Sequence, residues 1–160
     1  MNLKAELKSV DHLVETEQYM TALSRLEELA TEYPSEPSIW RTRAHVNSQR
    51  GNAKAAVDDV SKAIGLCNTE PDYYYTRGIL FFKIARYRDA VSDFTKVIKL
   101  CDLHQSNYYR EGAHFFRADA YLRLKEYSKA TADCEHVRDS FQTWTDALRT
   151  KEGILAECGR

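Results

Sequence analysis

The side chains able to do chemistry on their own are thinly and irregularly spaced in this 160-residue chain. Cys67, Cys101, Cys134 and Cys158 stand at least 24 residues apart. No CxxC pair exists, so neither a zinc knuckle nor a dithiol redox couple is indicated. Reduced thiols in a reducing, cytoplasmic compartment are the expectation, because disulfide frameworks belong to secreted domains. His12, His45, His104, His114 and His136 form no i,i+4 pair and no HExxH helix. Each reads as a surface or groove side chain, and no metal and no cofactor is expected. The glycine-rich phosphate loops and the GxSxG nucleophile turn are absent as well. Carboxylates are abundant, but Asp58-Asp59 precedes Val60 and Asp93 precedes Phe94. Those positions flank apolar ones, as solvated helix faces do. No enzyme activity is expected.

The composition bounds the rest. The chain is 43% hydrophobic and 29% charged, which suits a folded, soluble domain. Lys+Arg 23 against Asp+Glu 24 leaves a formal net charge of -1. That balance lacks the basic footprint of a general nucleic-acid binder. Charge is uneven along the chain: residues 1–36 hold three bases against eight acids, and residues 37–110 hold twelve against seven. Fully apolar runs are as short as Ile79-Leu80-Phe81-Phe82, so no membrane insertion is expected. Glu6 and the lack of an apolar stretch behind it argue against a secretory signal. Six Gly and three Pro favour helices over a turn-rich β domain.

The elements that must position these residues repeat. Ser35-Glu36-Pro37-Ser38 returns as Thr69-Glu70-Pro71-Asp72, and Ala22, Ala56 and Ala90 are each 34 residues apart. Behind each alanine, at i+4 and i+7, come Leu26/Leu29, Val60/Ala63 and Phe94/Val97, which is one helical face. A fourth copy at Tyr127, Ala130, Cys134 and Val137 is displaced by 40, leaving six extra residues near Gln105–Arg110. Each copy reads as two helices. Pro37 suits a first helical turn, where its missing N–H has no partner. Trp40, Ala44 and Asn47 follow on one face, and Gly51-Asn52 supplies a left-handed stop. Gly78 in mid-helix costs about 1 kcal/mol relative to Ala. It implies a close neighbour, for which Ala56, Ala90 and Ala130 are the expected partners.

This pattern resembles the tetratricopeptide repeat (TPR) family. Trp40, Ala44, Gly51, Ala56 and Ala63 match it, as do Tyr74, Gly78, Phe81, Tyr87, Ala90 and Phe94. The fourth copy matches through Ala118, Tyr121, Tyr127 and Ala130, but places His114 at the first large aromatic, and Asn47 replaces an aromatic in the second copy. The first copy matches only through its second helix, and roughly Leu3–Thr16 is degenerate. The resemblance implies an all-α, right-handed superhelix, or α-solenoid, of about four helix-turn-helix units. As one domain over 1–160, its repeats fall near 3–36, 37–70, 71–104 and 111–144. A capping helix is expected near 142–158, where Trp144, Ala147, Leu148, Lys151, Leu155 and Cys158 share a side.

Stacked hairpins generate a concave surface lined by the first helix of each pair. The expected partner-binding residues are Arg41 and His45 in the second copy, and Tyr75, Ile79, Phe82 and Lys83 in the third. The fourth copy adds Phe115, Phe116, Asp119, Leu122 and Arg123. Exposed apolar groups in that number suggest a contact site. Some family members clamp a chaperone's terminal carboxylate with Lys, Asn and Arg. The corresponding positions here, Leu7, Asp11, Thr42, Asp72 and Thr76 or, one copy on, Arg41, His45, Thr76, Gly112 and Phe116, offer only Arg41 in kind, so no such clamp is expected. The expected function is binding of a peptide or protein segment, as an adaptor or chaperone. The alternatives are a neutralising, immunity-type partner of a toxin or effector, and a self-associating structural protein.

Overall fold

The computed structural model describes residues 2–141 and 150–159. Their helices are α1 (Leu3–Glu15), α2 (Tyr19–Glu32), α3 (Pro37–Gln49), α4 (Ala53–Leu66), α5 (Pro71–Lys83), α6 (Tyr87–Leu103), α7 (Arg110–Arg123), α8 (Tyr127–Cys134) and α9 (Lys151–Cys158). No strand occurs among the described residues. Trp144, Ala147 and Leu148 of the expected capping helix lie outside them. The chain divides into two compact units, Met1–Tyr73 and Tyr74–Arg160, and the division falls inside α5.

Local chemistry sets the helix ends. The Asn2, Glu36, Asn52 and Thr150 side chains accept from the backbone N–H groups of Lys4, Ser38, Ala55 and Gly153, which have no partner inside their own helix. Pro37 opens α3. The first helix of each pair ends on a left-handed residue: Glu17 at φ 58°, Gly51 at 76°, Ala85 at 59° and Lys125 at 61°. The next N–H then bonds five residues back, Gln18 to Leu13, Asn52 to Asn47, Arg86 to Phe81 and Glu126 to Tyr121. This is the Schellman closure. Glycine marks it at one of the four turns, so three are silent in the sequence. The six extra residues of the fourth copy extend α6 to Leu103 and lengthen the loop that follows.

In residues 1–73 the core is built on Val10, Ala22, Leu26, Leu29, Ile39 and Val46, with Leu3, Leu7 and Leu13 packed against it. The degenerate first segment therefore forms a full helix, α1, whose apolar side seals α2 and touches α3. Trp40, Ala44, Ala56, Val60 and Ala63 fill the α3–α4 hairpin. In residues 74–160, Phe94 stacks on Phe116 at 5.8 Å between ring centres, and Tyr75 meets Phe94 edge-on at 5.9 Å. Gly78 does have a close neighbour, but it is the Phe94 ring and not an alanine. A Cβ on Gly78 would lie 2.8 Å from Phe94 Cε1. Gly112 plays the same part for Tyr75, whose Oη would be 2.5 Å away.

A charged pair crosses every hairpin. Arg43 donates to Asp59, Arg77 to Asp93 and Arg117 to Asp133, each sixteen residues apart. The α5–α6 pair is bidentate at 2.7 and 2.8 Å. The first hairpin reverses the polarity, with Arg25 on α2 donating to Glu6 on α1 at 2.7 Å. The expectation of solvated carboxylates is corrected here. Asp58 is exposed, but Asp59, Asp93 and Asp133 are buried. A buried carboxylate must be paired and hydrogen-bonded, which explains the two departures from the aromatic pattern. Asn47 Nδ2 donates to Asp59 at 2.8 Å, and His114 Nδ1 lies 2.8 Å from Asp133. Burial pushes the Asp133 carboxyl up, but the Arg117 and His114 hydrogen bonds outweigh it and hold it below the usual carboxylate range.

Candidate partner-binding faces

Within residues 1–73 the outward row of α1 and α3 carries Leu7, Asp11, Ser38, Arg41 and His45. Arg41 is half-buried and donates to Asp72 at 2.9 Å. His45 is exposed. Lost hydration and then the Arg41 charge push its imidazole down, while Asp11 pulls the other way, so it is neutral at pH 7. Beside these lies an open cleft of about 470 Å³ lined by Leu3, Leu7, Ser38 and Glu36 together with Lys4 and Lys8. Lys4 and Lys8 are exposed while Leu3 and Leu7 are half-buried. Sequence reasoning missed this cleft. Its signal was the i,i+4 pairing of Leu3 with Leu7 and of Lys4 with Lys8 in a helix set aside as degenerate.

Within residues 74–160 the expected row is partly withdrawn from the surface. Tyr75, Ile79 and Phe82 are half-buried, and Lys83 and Arg123 are exposed. Phe115 and Phe116, however, are only 1% and 2% exposed, and Asp119 and Leu122 are buried too. These four are core, not exposed anchors. Phe116 is enclosed by Tyr75 at 6.2 Å, Phe82 at 6.1 Å and Phe94. Phe115 packs on Phe141 at 5.3 Å, and α9 lies against α7 and α8. Phe141 and α9 thus pack on the helices of the fourth copy. Asp119 pairs with Arg123 one turn on, at 3.3 Å. The structure thus gathers Tyr75, Phe82 and Phe115 around Phe116, but as a packed cluster.

Among the described residues no nucleophile stands out. Burial raises the Cys101 thiol and pushes Cys134 up to about 11, so both are protonated and weakly reactive at pH 7. Among the described residues no group of three or more His, Cys, Asp or Glu side chains is placed to hold a metal. None of their helices is long and apolar enough to cross a membrane.

Comparison with known proteins agrees with the helical hairpins. Residues 7–71 match the family described as tetratricopeptide repeat. No curated protein matches the chain's sequence. Among solved structures, MamA from Desulfovibrio magneticus RS-1 is 17% identical, with a TM-score of 0.73 over 83% of this chain and 72% of that one. The kinesin-light-chain TPR-like repeats of Podosopora anserina give 0.76 at 12% identity, over 98% of this chain and 84% of that one. YrrB, described as a TPR protein with an unusual peptide-binding site, gives 0.70 at 15% identity, over 82% and 64%. At these identities the likeness is one of fold, an all-α solenoid of hairpins. The hairpin repeat legible in the residues, the match of residues 7–71 to the tetratricopeptide repeat model and the shared fold together give this chain an all-α fold of the tetratricopeptide-repeat type.

Proposed function

We propose that the protein is a non-catalytic adaptor or chaperone that holds a peptide or segment of another protein against the first-helix faces of its hairpins. The observation that carries this reading is the cleft beside α1 and α3. It offers the apolar side chains of Leu3 and Leu7 at the surface, with Lys4 and Lys8 beside them. An apolar floor with a polar rim is the make-up of a peptide site. The half-buried Tyr75, Ile79 and Phe82 with exposed Lys83 form a further row within residues 74–160. YrrB lends support by fold, since its own description assigns it a peptide-binding site. The four free thiols suit a cytoplasmic setting.

The test pairs site-directed photocrosslinking with light scattering. A photoreactive residue at Ser38 should capture a partner segment that one at exposed Leu66 does not. Lys4→Glu with Lys8→Glu, both exposed on the rim of the cleft, should weaken that capture while helicity is retained. Equal crosslinking at both positions would refute the face assignment. A concentration-dependent dimer crosslinked through Ser38 would favour self-association instead.

A further inference from the structure

We propose that two copies of this chain associate by laying α2 of one antiparallel against α6 of the other, the acidic outer face of the first on the basic outer face of the second. Both are second helices of their hairpins, so the contact stands apart from the first-helix faces and does not rest on the peptide site there. The uneven charge along the sequence gathers on these two helices. On α6, Arg88, Ser92, Lys96, Lys99 and Leu103 follow at steps of three or four and are all exposed, so they form one stripe. The acids of that helix do not neutralise it. Asp89, Asp93 and Asp102 are each engaged by an arginine, Arg86, Arg77 and Arg110. Arg88, Lys96 and Lys99 have no ion-pair partner among the described residues. Lys96 and Lys99, one turn apart, repel each other.

The matching stripe on α2 is Met20, Ser24, Glu27 and Thr31, with Glu28 and Glu32 along its edge, and all six are exposed. The one base of that helix, Arg25, is committed to Glu6 and Glu28, so the outward carboxylates of Glu27 and Glu32 are not neutralised from within it. The two stripes also agree in register. Met20 stands seven residues before Glu27, and Leu103 stands seven after Lys96. At about 1.5 Å per residue each span is about 10 Å. An antiparallel crossing that seats Glu27 on Lys96 therefore brings Met20, 65% exposed, onto Leu103, 74% exposed. Ser24 then falls opposite Lys99, and Glu32 points toward Ser92 and Arg88. A parallel crossing would leave both apolar ends in water. An acidic helix of another protein would answer the charges of α6, but the apolar end at the same spacing is what selects a second copy. Exposed charge pairs contribute little each, so the association is weak. Each copy carries both faces, so the contact can repeat head to tail.

The test is sedimentation velocity of the whole protein across about 5–500 µM, at about 20 and about 500 mM salt. At low salt the average mass should climb above the monomer with concentration, and the association constant should fall at least about tenfold at high salt. Glu27→Lys with Glu32→Lys should leave the protein monomeric, and so should Lys96→Glu with Lys99→Glu. An equimolar mixture of these two variants should associate again, because each then offers the charge that the other has lost. Arg50→Glu with Lys54→Glu changes the net charge as much as the α6 variant does, but at the α3–α4 turn, and should associate like the parent. All six side chains are exposed, so the fold is retained, which circular dichroism checks. A monomer at every concentration overturns the proposal, as does association that survives either charge reversal or a mixture that stays monomeric. Loss of partner capture at Ser38 with this self-association intact would count against the peptide site alone, so the two readings fail separately.

Discussion

The Arg77–Asp93 pair turns the hairpin chemistry into a measurable quantity. Its two hydrogen bonds of 2.7 and 2.8 Å join an almost fully buried carboxylate to a guanidinium that is 20% exposed. The Asp93 hydrogen bond raises the Arg77 pKa further, so the guanidinium stays charged across the working range. At an effective dielectric near 20 the attraction is worth about 4 kcal/mol at 4 Å, but desolvating both ions offsets most of it. The net value of the pair is therefore small, and the cost of breaking it is large. Asp93→Ala removes the buried carboxylate from a guanidinium that also stands over the Tyr74 and Phe81 rings, 5.8 and 5.6 Å from it. We expect a loss of about 3–5 kcal/mol of unfolding free energy. Replacing both partners, Arg77→Met with Asp93→Leu, keeps the volume apolar and should cost less than about 1.5 kcal/mol. Urea denaturation of the single and double variants, followed by far-ultraviolet circular dichroism, yields the coupling energy. A loss below about 1 kcal/mol in Asp93→Ala, or single losses that simply add in the double variant, would show that water screens the pair and refute the reasoning.

Other outcomes follow from the same geometry. Ala85 sits at φ 59°, where a Cβ costs about 1–2 kcal/mol and glycine's extra freedom in the unfolded chain takes back about 0.4–1. Ala85→Gly should therefore raise the thermal midpoint slightly, and a lowered midpoint counts against a strained turn. Phe115→Ala should cost about 3–5 kcal/mol through a core cavity. A variant that keeps wild-type stability would return Phe115 to the surface. The Asp133 carboxyl is held low in the fold, so as acid is added the unfolded chain binds its proton first. Its stabilisation is complete above about pH 4 and is lost as the pH falls through the folded value. The urea midpoint of the parent should fall across that window, and Asp133→Asn, weaker throughout, should show a shallower slope. Parallel profiles would remove Asp133 from the acid response.

The hairpins were readable before any coordinates because their cause is local. A 34-residue step, Pro37 and Pro71 at helix starts, Gly51 at a stop and an apolar stripe at i, i+4 and i+7 each act within one helix or turn. The turns at Glu17, Ala85 and Lys125 left no such mark, since a left-handed residue is announced only when it is glycine. Arg43, Arg77 and Arg117 and their aspartates were periodic too. Their meaning lay across the hairpin, where burial rather than spacing turns a surface charge into a paired one. The same holds for Asn47 and His114, which broke the aromatic pattern in order to hold Asp59 and Asp133. Phe115 and Phe116 occupy outward positions by helix phase alone. Whether such a position meets solvent depends on what packs over it, and here Tyr75, Phe82, Phe94 and Phe141 close over the two rings. Helical phase belongs to the sequence. The cover comes from residues distant in the chain, so which faces remain open to a partner was decided by tertiary packing.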